Sequence, residues 1–394
     1  MSVKHKRVVL GDIADISSGG TPSRTNPAYW DGNVPWVKTT QIQNCIINKQ
    51  DIDEWITEEG LKKSSAKMVP QNTILLGMIG QGKTRGQVGY LNFEACTNQN
   101  AATIVCGEQC DSWYIFQYLL FNYTNIRALS NSSGQGNLNL GLVGIIPVLL
   151  PPLPEQKAIA DLLSTWDEAI EKTERLIQAK EARLKGQIQK LISQRCDTWP
   201  HIKPKKIFDT ITEKNFPDEE LLSVTQDRGV IPRSMLEGRV MSPDGTTASY
   251  KLIKHGDFAI SLRSFQGGIE YSNYQGIISP AYTVLRPKIE LNSDFYRLFF
   301  KSYIFIEKYL NLAVIGIRDG KQISIPDFLS IKIPVPPLEE QKEIAETLSV
   351  CQQEIELLKQ LADKYKNQKR GLMQKMLTGE WRVKPEIVKQ YMEA

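Results

Sequence analysis

The chain has 394 residues, and at roughly 150 residues per domain that length predicts two to three domains with room for sizeable cores. Its 41% hydrophobic and 23% charged residues exclude a disordered chain, and no apolar run approaches the roughly 18 residues that a membrane-spanning helix needs. A net charge of +4 neither requires nor excludes nucleic acid, because a local basic surface can sit inside a near-neutral total.

The N-terminus, Met1-Ser2-Val3-Lys4-His5-Lys6-Arg7, is charged and no signal-like apolar stretch follows it, which predicts a cytoplasmic location. Residues 1–150 carry short β-like runs broken by Gly, Asn and Pro. Val34-Pro35-Trp36-Val37 and Thr73-Ile74-Leu75-Leu76 are expected strands, and Trp113 to Leu129 an expected helix capped by Asp111 or Ser112. Between them, Gly77-Met78-Ile79-Gly80-Gln81-Gly82-Lys83-Thr84 satisfies the G-x-x-x-x-G-K-[ST] pattern of a phosphate-binding loop. Such a loop works by presenting phosphates to the N-terminus of a following helix. Here the following Arg85–Phe93 segment is glycine-broken and β-like, so a basic, Gly-rich turn between strands is the better expectation. A P-loop nucleotide-binding protein is the alternative, decided by whether Lys83→Ala abolishes nucleotide binding.

The six cysteines are scattered. Cys106 and Cys110 are the one close pair, and no second pair or nearby histidine completes a zinc site, so no metal is expected. Three histidines leave little material for histidine-based catalysis. No cofactor glycine motif opens a Rossmann-type unit and no Asn/Asp-Pro-Pro-aromatic tetrapeptide occurs, so the sequence carries no methyltransferase signature either.

Residues 151–195 and 336–380 align without a gap. Pro151-Pro152-Leu153, Glu155-Gln156-Lys157 and Ile159-Ala160 recur as Pro336-Pro337-Leu338, Glu340-Gln341-Lys342 and Ile344-Ala345. Upstream, Asn137-Leu138-Asn139-Leu140 sits where Gln322-Ile323-Ser324-Ile325 does. Each copy is expected to be helical, with the Pro pair placed where lost N–H donors cost nothing. Ile159, Leu163, Trp166, Ile170, Thr173, Ile177, Lys180 and Leu184 fall at alternating steps of four and three. So do Ile344, Leu348, Cys351, Ile355, Leu358, Ala362, Tyr365 and Lys369. That is a heptad-type seam with polar interruptions at Thr173, Lys180 and Lys369. Roughly 40 helical residues make a rod of about 60 Å, and two equivalent rods are expected to pack on each other. The basic residues Lys185, Lys190, Arg195, Lys369, Arg370 and Lys375 are expected on a solvated helix face, with a face toward a partner or nucleic acid as the alternative.

Residues 197–335 repeat the order of residues 1–150. Asp257–Leu262 and Tyr282–Leu285 are expected strands, Phe295 to Leu312 an expected helix after Asn292 or Ser293. The equivalent turn, Arg263–Gly268, lacks the Lys-Thr pair. A structural coiled-coil linker without DNA specificity is a further alternative, separable by exchanging residues 1–150 for another such domain.

The repeated Pro-Pro-Leu-x-Glu-Gln-Lys-x-Ile-Ala at 151–160 and 336–345 resembles the specificity subunit of Type I restriction–modification systems, and the resemblance covers essentially the whole chain. Leu377-Thr378-Gly379-Glu380-Trp381-Arg382-Val383 looks like that family's usual ending of the second helix. Gly19-Gly20-Thr21-Pro22-Ser23, Tyr29-Trp30-Asp31-Gly32 and Val34–Val37 look like the opening of a target recognition domain, and Gly268–Ser272 with Gly276–Tyr282 like its other common variant.

The resemblance implies an α+β fold. Two α/β target recognition domains, each a mixed β-sheet with helices, are separated by two long helices packed as an antiparallel coiled coil, in a pseudo-twofold internal repeat. The implied boundaries are 1–150 and 197–335 for the domains, 151–196 and 336–380 for the helices, and 381–394 for a C-terminal tail. Each domain would read half of a bipartite target in double-stranded DNA through the major groove, and the helices would set the spacer. Two methyltransferase (M) subunits holding S-adenosylmethionine would methylate adenine N6. A restriction (R) subunit using ATP and Mg would join for cleavage, a methylation-only complex being the variant. This chain would bind no cofactor and catalyse nothing.

The residue types suited to bases and phosphates, Arg, Lys, Asn, Gln and Thr in expected loops, give the candidate DNA contacts. In the first domain they are Lys38, Thr39, Gln41, Lys83, Arg85, Asn98, Gln99 and Asn100. In the second they are Thr225, Gln226, Arg228, Arg233, Arg263, Gln266 and Lys321. For Asn98 and Asn100 the competing expectation is that they shape a turn.

Overall fold

The computed structural model describes residues 5–80, 82–132, 136–236, 247–262, 267–316 and 321–392. The chain divides into two compact units, Met1–Thr173 with Leu361–Ala394, and Glu174–Gln360. Two long helices, Leu153–Ile188 and Leu338–Leu377, each give their N-terminal part to one unit and their C-terminal part to the other.

In the first unit a five-stranded sheet runs in the order Ala14–Ser18, Ala101–Cys106, Ile74–Gly77, Val88–Leu91, Cys45–Ile47. Neighbours are antiparallel except the last pair, which is parallel. Ile74, Leu75 and Leu76 are all fully buried, because the sheet is covered on both faces. The alternation of strand side chains sends Ile74 and Leu76 into one apolar cluster and Leu75 into another. In the second unit a four-stranded sheet runs Phe208–Ile211, Tyr282–Pro287, Phe258–Ser261, Glu270–Tyr271, which is the same order without the fifth strand. Each unit also pairs its opening strand with the strand that leads into a long helix: Lys6–Val9 with Pro147–Leu150, and His201–Ile202 with Ile333–Pro334.

The first expected domain helix is interrupted at one residue and the second is cut short. The first is broken at Asn122 into Ser112–Phe121 and Tyr123–Ser132. The Asn122 side-chain amide donates to the Tyr118 carbonyl at 2.9 Å, so a side chain competes for the ladder. The second helix spans Ser293–Phe299 only. There the buried Ser302 hydroxyl donates to the Phe299 carbonyl at 2.6 Å and accepts from the Phe305 N–H, and the chain continues as a wide turn, Phe305–Tyr309, and a tight one, Leu310–Ala313. Phe295, Phe299, Phe300, Phe305 and Phe328 are all fully buried, so packing rather than helix periodicity sets the path. The Gly77–Thr84 run is a turn between antiparallel strands: Gly77 N–H donates to Gln87 and Gly86 N–H to Gly77. The strand Val88–Leu91, not a helix, follows it, so the helix N-terminus that a phosphate-binding loop needs is not there.

The repeated Glu-Gln pair does the same work twice. Gln156 and Gln341 are buried at 0% and 2% exposure. The Gln156 side-chain oxygen accepts the N–H of Asp111 at 2.9 Å, and its nitrogen donates to the carbonyls of Pro151 and Gln109. Gln341 accepts the N–H of Asn292 at 2.8 Å and donates to the carbonyl of Pro336. Asp111 and Asn292 are the N-caps of the two domain helices, each accepting from an N–H three residues on. The preceding glutamates reach the other long helix's end: Glu155 receives Arg382 and the N–H of Val383, and Glu340 pairs with Arg195.

The seams are antiparallel in each unit. In the first, Glu155 meets Arg382 and Trp166 meets Tyr365 edge-on at 5.6 Å, while Ile159 and Leu163 are fully buried with Met376 and Leu377 nearby in one core. In the second, Lys180 meets Glu354 at 2.6 Å and Arg195 meets Glu340, around buried Ile177, Ile344, Leu348 and Ile355. Leu184, Cys351 and Leu358 are half-buried beside them, as are Ile170 and Tyr365 in the first unit, where Ala362 is buried. The polar interruptions are all used: Lys369 pairs with Asp167, Lys180 with Glu354, and the Thr173 hydroxyl donates to Ala169. Among the described residues no helix is long and apolar enough to cross a membrane.

Replacing Gln156 or Gln341 by Leu leaves a half-buried N-cap amide without its acceptor, and each change is expected to cost about 1–2 kcal/mol. The check is a lower urea midpoint at unchanged m-value, with faster hydrogen exchange at the amide of Asp111 or Asn292. Burial works upward on the Glu155 carboxyl, but the hydrogen bond and charge of Arg382, then His5 and the Val383 N–H, hold it below its ordinary value. A depressed carboxyl stabilises the fold above its unfolded pKa, and that contribution is lost as pH falls through the folded one. Arg382→Ala is therefore expected to lower the unfolding midpoint at neutral pH. The gap from the parent should close as pH drops below about 4.3, measured by denaturant titration across pH.

Candidate nucleic-acid interface

Six of the first domain's candidate residues come together at one end of the strand Trp30–Val37. Asn98 Oδ1 accepts the Thr39 hydroxyl at 2.8 Å and the N–H of Asn100 at 3.0 Å. Gln99 is exposed and accepts the Thr21 hydroxyl at 2.6 Å. Gln41 accepts the Lys38 N–H and donates to the Asp51 carbonyl. The Lys38 ammonium lies 2.7 Å from Asp53 and 3.1 Å from Glu54, whose hydrogen bonds raise its pKa and keep it charged. Asn98 thus shapes a turn, as the competing expectation had it, and in doing so fixes Thr39.

Three residues at this cluster escape the sequence reading. Arg24 lies 3.7 Å over the Trp30 ring and pairs with Glu54 at 2.6 Å, and Thr21 holds Gln99. Glu54 therefore joins Arg24 to Lys38. The available hint is that Thr21 and Arg24 lie in and directly after the Gly19–Ser23 run. That run passes so close to Thr97 that a Cβ on Gly19 would collide with the Thr97 carbonyl, while Gly20 N–H bonds that same carbonyl at 2.9 Å. The indole of Trp36 donates to Gly20 at 2.9 Å.

Lys83 and Arg85 sit apart, on the turn before Val88–Leu91. Lys83 is exposed, and its main-chain carbonyl accepts the Tyr123 hydroxyl at 2.8 Å. Arg85 departs from its expected role: it is 8% exposed and its guanidinium donates to the carbonyl of Gly136, so it fastens two loops instead of facing solvent. The reason is tertiary, since nothing near Arg85 in the chain marks it for burial. Asn100 links to this turn through its carbonyl, which accepts the Met78 N–H.

In the second domain Thr225, Gln226 and Arg228 share the hairpin turn between Leu222–Thr225 and Gly229–Pro232. The Thr225 hydroxyl donates to the Gly229 carbonyl at 2.9 Å and accepts the Arg228 N–H, so it builds the turn. Gln226 and Arg228 are exposed, and Arg228 donates to the Met235 carbonyl at 3.1 Å. Arg233 is half-buried and opens the short turn Arg233–Met235, and Lys321 is exposed just before the strand Gln322–Ile323. Arg263 and Gln266 lie outside the described residues.

Burial pushes the thiols of Cys106 and Cys110 up to about 12 and about 11, so both are protonated at neutral pH. Among the described residues no group of three or more His, Cys, Asp or Glu is placed to hold a metal ion.

A family model described as the Type I restriction modification DNA specificity domain matches residues 3–181 and 241–367. The chain is 26% identical to the Type I restriction enzyme MjaVIII specificity subunit of Methanocaldococcus jannaschii, over 96% of this chain and 93% of that one. It is 25% identical to the EcoR124I/EcoR124II specificity subunit of Escherichia coli, over 40% of each. Its fold resembles the crystal structure of the S subunit of a Type I system from M. genitalium, with a TM-score of 0.56 at 16% identity over 95% of this chain and 96% of that one. A second S-subunit structure, from Thermoanaerobacter tengcongensis, gives 0.50 at 17% identity over 97% and 98%. With the model matching most of the chain and the duplicated sheets and helices in place, the chain belongs to the Type I restriction–modification DNA specificity family.

Proposed function

We propose that the chain is the non-catalytic, DNA-reading subunit of a cytoplasmic Type I complex, each recognition domain reading one half of a bipartite target through the major groove. The observation that carries this is the duplication. Two sheets of the same strand order are fastened to the two long helices by the same Glu-Gln pair, while the loops beyond them differ. Equivalent frames with different loops suit a split site whose halves differ in sequence. The loop chemistry fits: Lys83, Gln99, Gln226 and Arg228 are exposed, and such side chains pair with phosphates, guanine or adenine.

The helices would set the spacer between the halves and dock two methyltransferase subunits, with restriction subunits joining for cleavage. S-adenosylmethionine would be held by the methyltransferase subunits and ATP with Mg by the restriction subunits, this chain binding none of them. The methylated base would be adenine, at N6, on each strand.

Mapping methylated adenines made by the assembled complex is expected to give a bipartite motif. Exchanging residues 1–150 for another recognition domain should replace one half and leave the other; a motif that stays whole would sink this function. Lys83→Ala is expected to weaken binding evenly across duplexes of different sequence, with the salt slope reduced by about 1. Titrations at several salt concentrations read both.

A further inference from the structure

We propose that Lys301 and Tyr123 are positioning residues, each of which sets the pose of a DNA-facing turn by donating to main-chain carbonyls of that turn. This rests on the DNA-reading function proposed above.

Both residues occupy the same place. Lys301 is the second residue past the helix Ser293–Phe299, and Tyr123 the second past Ser112–Phe121. An ammonium has three donors, and Lys301 spends all of them inside the protein. It donates to the Gln226 carbonyl at 2.9 Å, to the Gly267 carbonyl at 2.9 Å and to the carboxylate of Glu270, which is 5% exposed. Two separate chain segments thereby meet at one cation, and one of them is the turn that carries Gln226 and Arg228.

The glycines beside these segments leave no slack. Gly229 has φ of +73°, and a Cβ there would lie 2.6 Å from the Tyr271 carbonyl oxygen. Gly268 has φ of +83° and passes against the carbonyl of Phe300, where a Cβ would collide. The segment of Gly268 is thus held close to Phe300, the residue after the helix, and the turn at Gly229 close to Tyr271.

In the first domain the Tyr123 hydroxyl donates to the Lys83 carbonyl at 2.8 Å and accepts from the Arg127 guanidinium at 3.0 Å. Gly86, at φ of +85°, packs against Tyr123 and Arg127. The donor is a phenol in one domain and an ammonium in the other, yet the acceptor in both is a main-chain carbonyl of a turn with candidate contact residues. Since every residue type supplies that carbonyl, the turn's side chains can change while its pose is kept. Base-edge hydrogen bonds lose strength steeply with misalignment, so the pose governs discrimination between bases.

The test uses the full-length chain assembled with methyltransferase subunits and a pool of random-sequence duplexes, sequenced after binding. Tyr123→Phe removes one oxygen. Lys301→Met is paired with Glu270→Gln so that no buried charge is stranded, and Lys301→Arg is the conservative control. Lys301→Met with Glu270→Gln is expected to cut the enrichment of the preferred base at some positions of the second half by about tenfold, leaving the first half sharp. Tyr123→Phe should do the reverse, and Lys301→Arg should keep both halves. Sharp halves in both variants, while Lys83→Ala still weakens binding, would overturn the positioning role and spare the proposed function. If Lys83→Ala also changes nothing, the groove contact itself is wrong and the positioning role falls with it. Blurring of both halves by either variant marks a general loss of structure and likewise overturns it.

Discussion

The capture of two half-buried N-cap amides by the buried Gln156 and Gln341 is the constraint on which the architecture depends. A backbone N–H taken out of water needs an acceptor, and a miss costs about 1–3 kcal/mol. In each unit that acceptor comes from the first turn of a long helix. The neighbouring glutamate adds a second demand, because a buried carboxylate needs a cation, and Arg382 or Arg195 arrives from the end of the other long helix. Domain helix, helix start and opposite helix end therefore meet at one Glu-Gln pair. The packing of Tyr114 and Tyr296 reinforces this, each hydroxyl donating to a carbonyl of the strand leading into the long helix.

The division between frame and variable surface follows from the kind of bond each uses. Frame bonds repeat between units because they run to main chain or to the repeated Glu-Gln pair. In the loops, polar side chains bond one another, as Thr39 does with Asn98 and Thr21 with Gln99. Those bonds depend on residue type at both ends and differ between the domains. The second unit lacks the fifth strand and fills its core with phenylalanine instead, yet keeps the strand order.

Charge inside the helix seams serves register more than stability. Exposed ion pairs contribute about 0–1 kcal/mol, and Lys180–Glu354 and Glu181–Lys359 are partly exposed. Lys369 is more buried and pairs with Asp167, which also accepts from the buried Gln117 of the domain helix. That chain of contacts ties the seam to its domain. A shift by one helical turn, about 5.4 Å, would part Lys369 from Asp167 and break that chain.

The sequence by itself determined the duplication, the two long helices, the strands about Ile74 and Phe258, and the family. Periodicity, the Pro pair and the repeated motif are local patterns that act at fixed spacing. It also placed the candidate contact residues on turns. Only the tertiary structure decided which donor meets which acceptor: Glu155 finds Arg382 across 227 residues of chain, and Lys301 finds Gln226 across 75. Arg85 and Asn98 look alike in sequence as polar loop residues, but one is buried as a fastener and the other shapes the turn that holds Thr39. The second domain's helix stopped early, at Phe299, for the same reason. A filled aromatic core outweighs a helical pattern, and it does not exist until the chain has closed on itself, whereas the Asn122–Tyr118 and Ser302–Phe299 bonds are local.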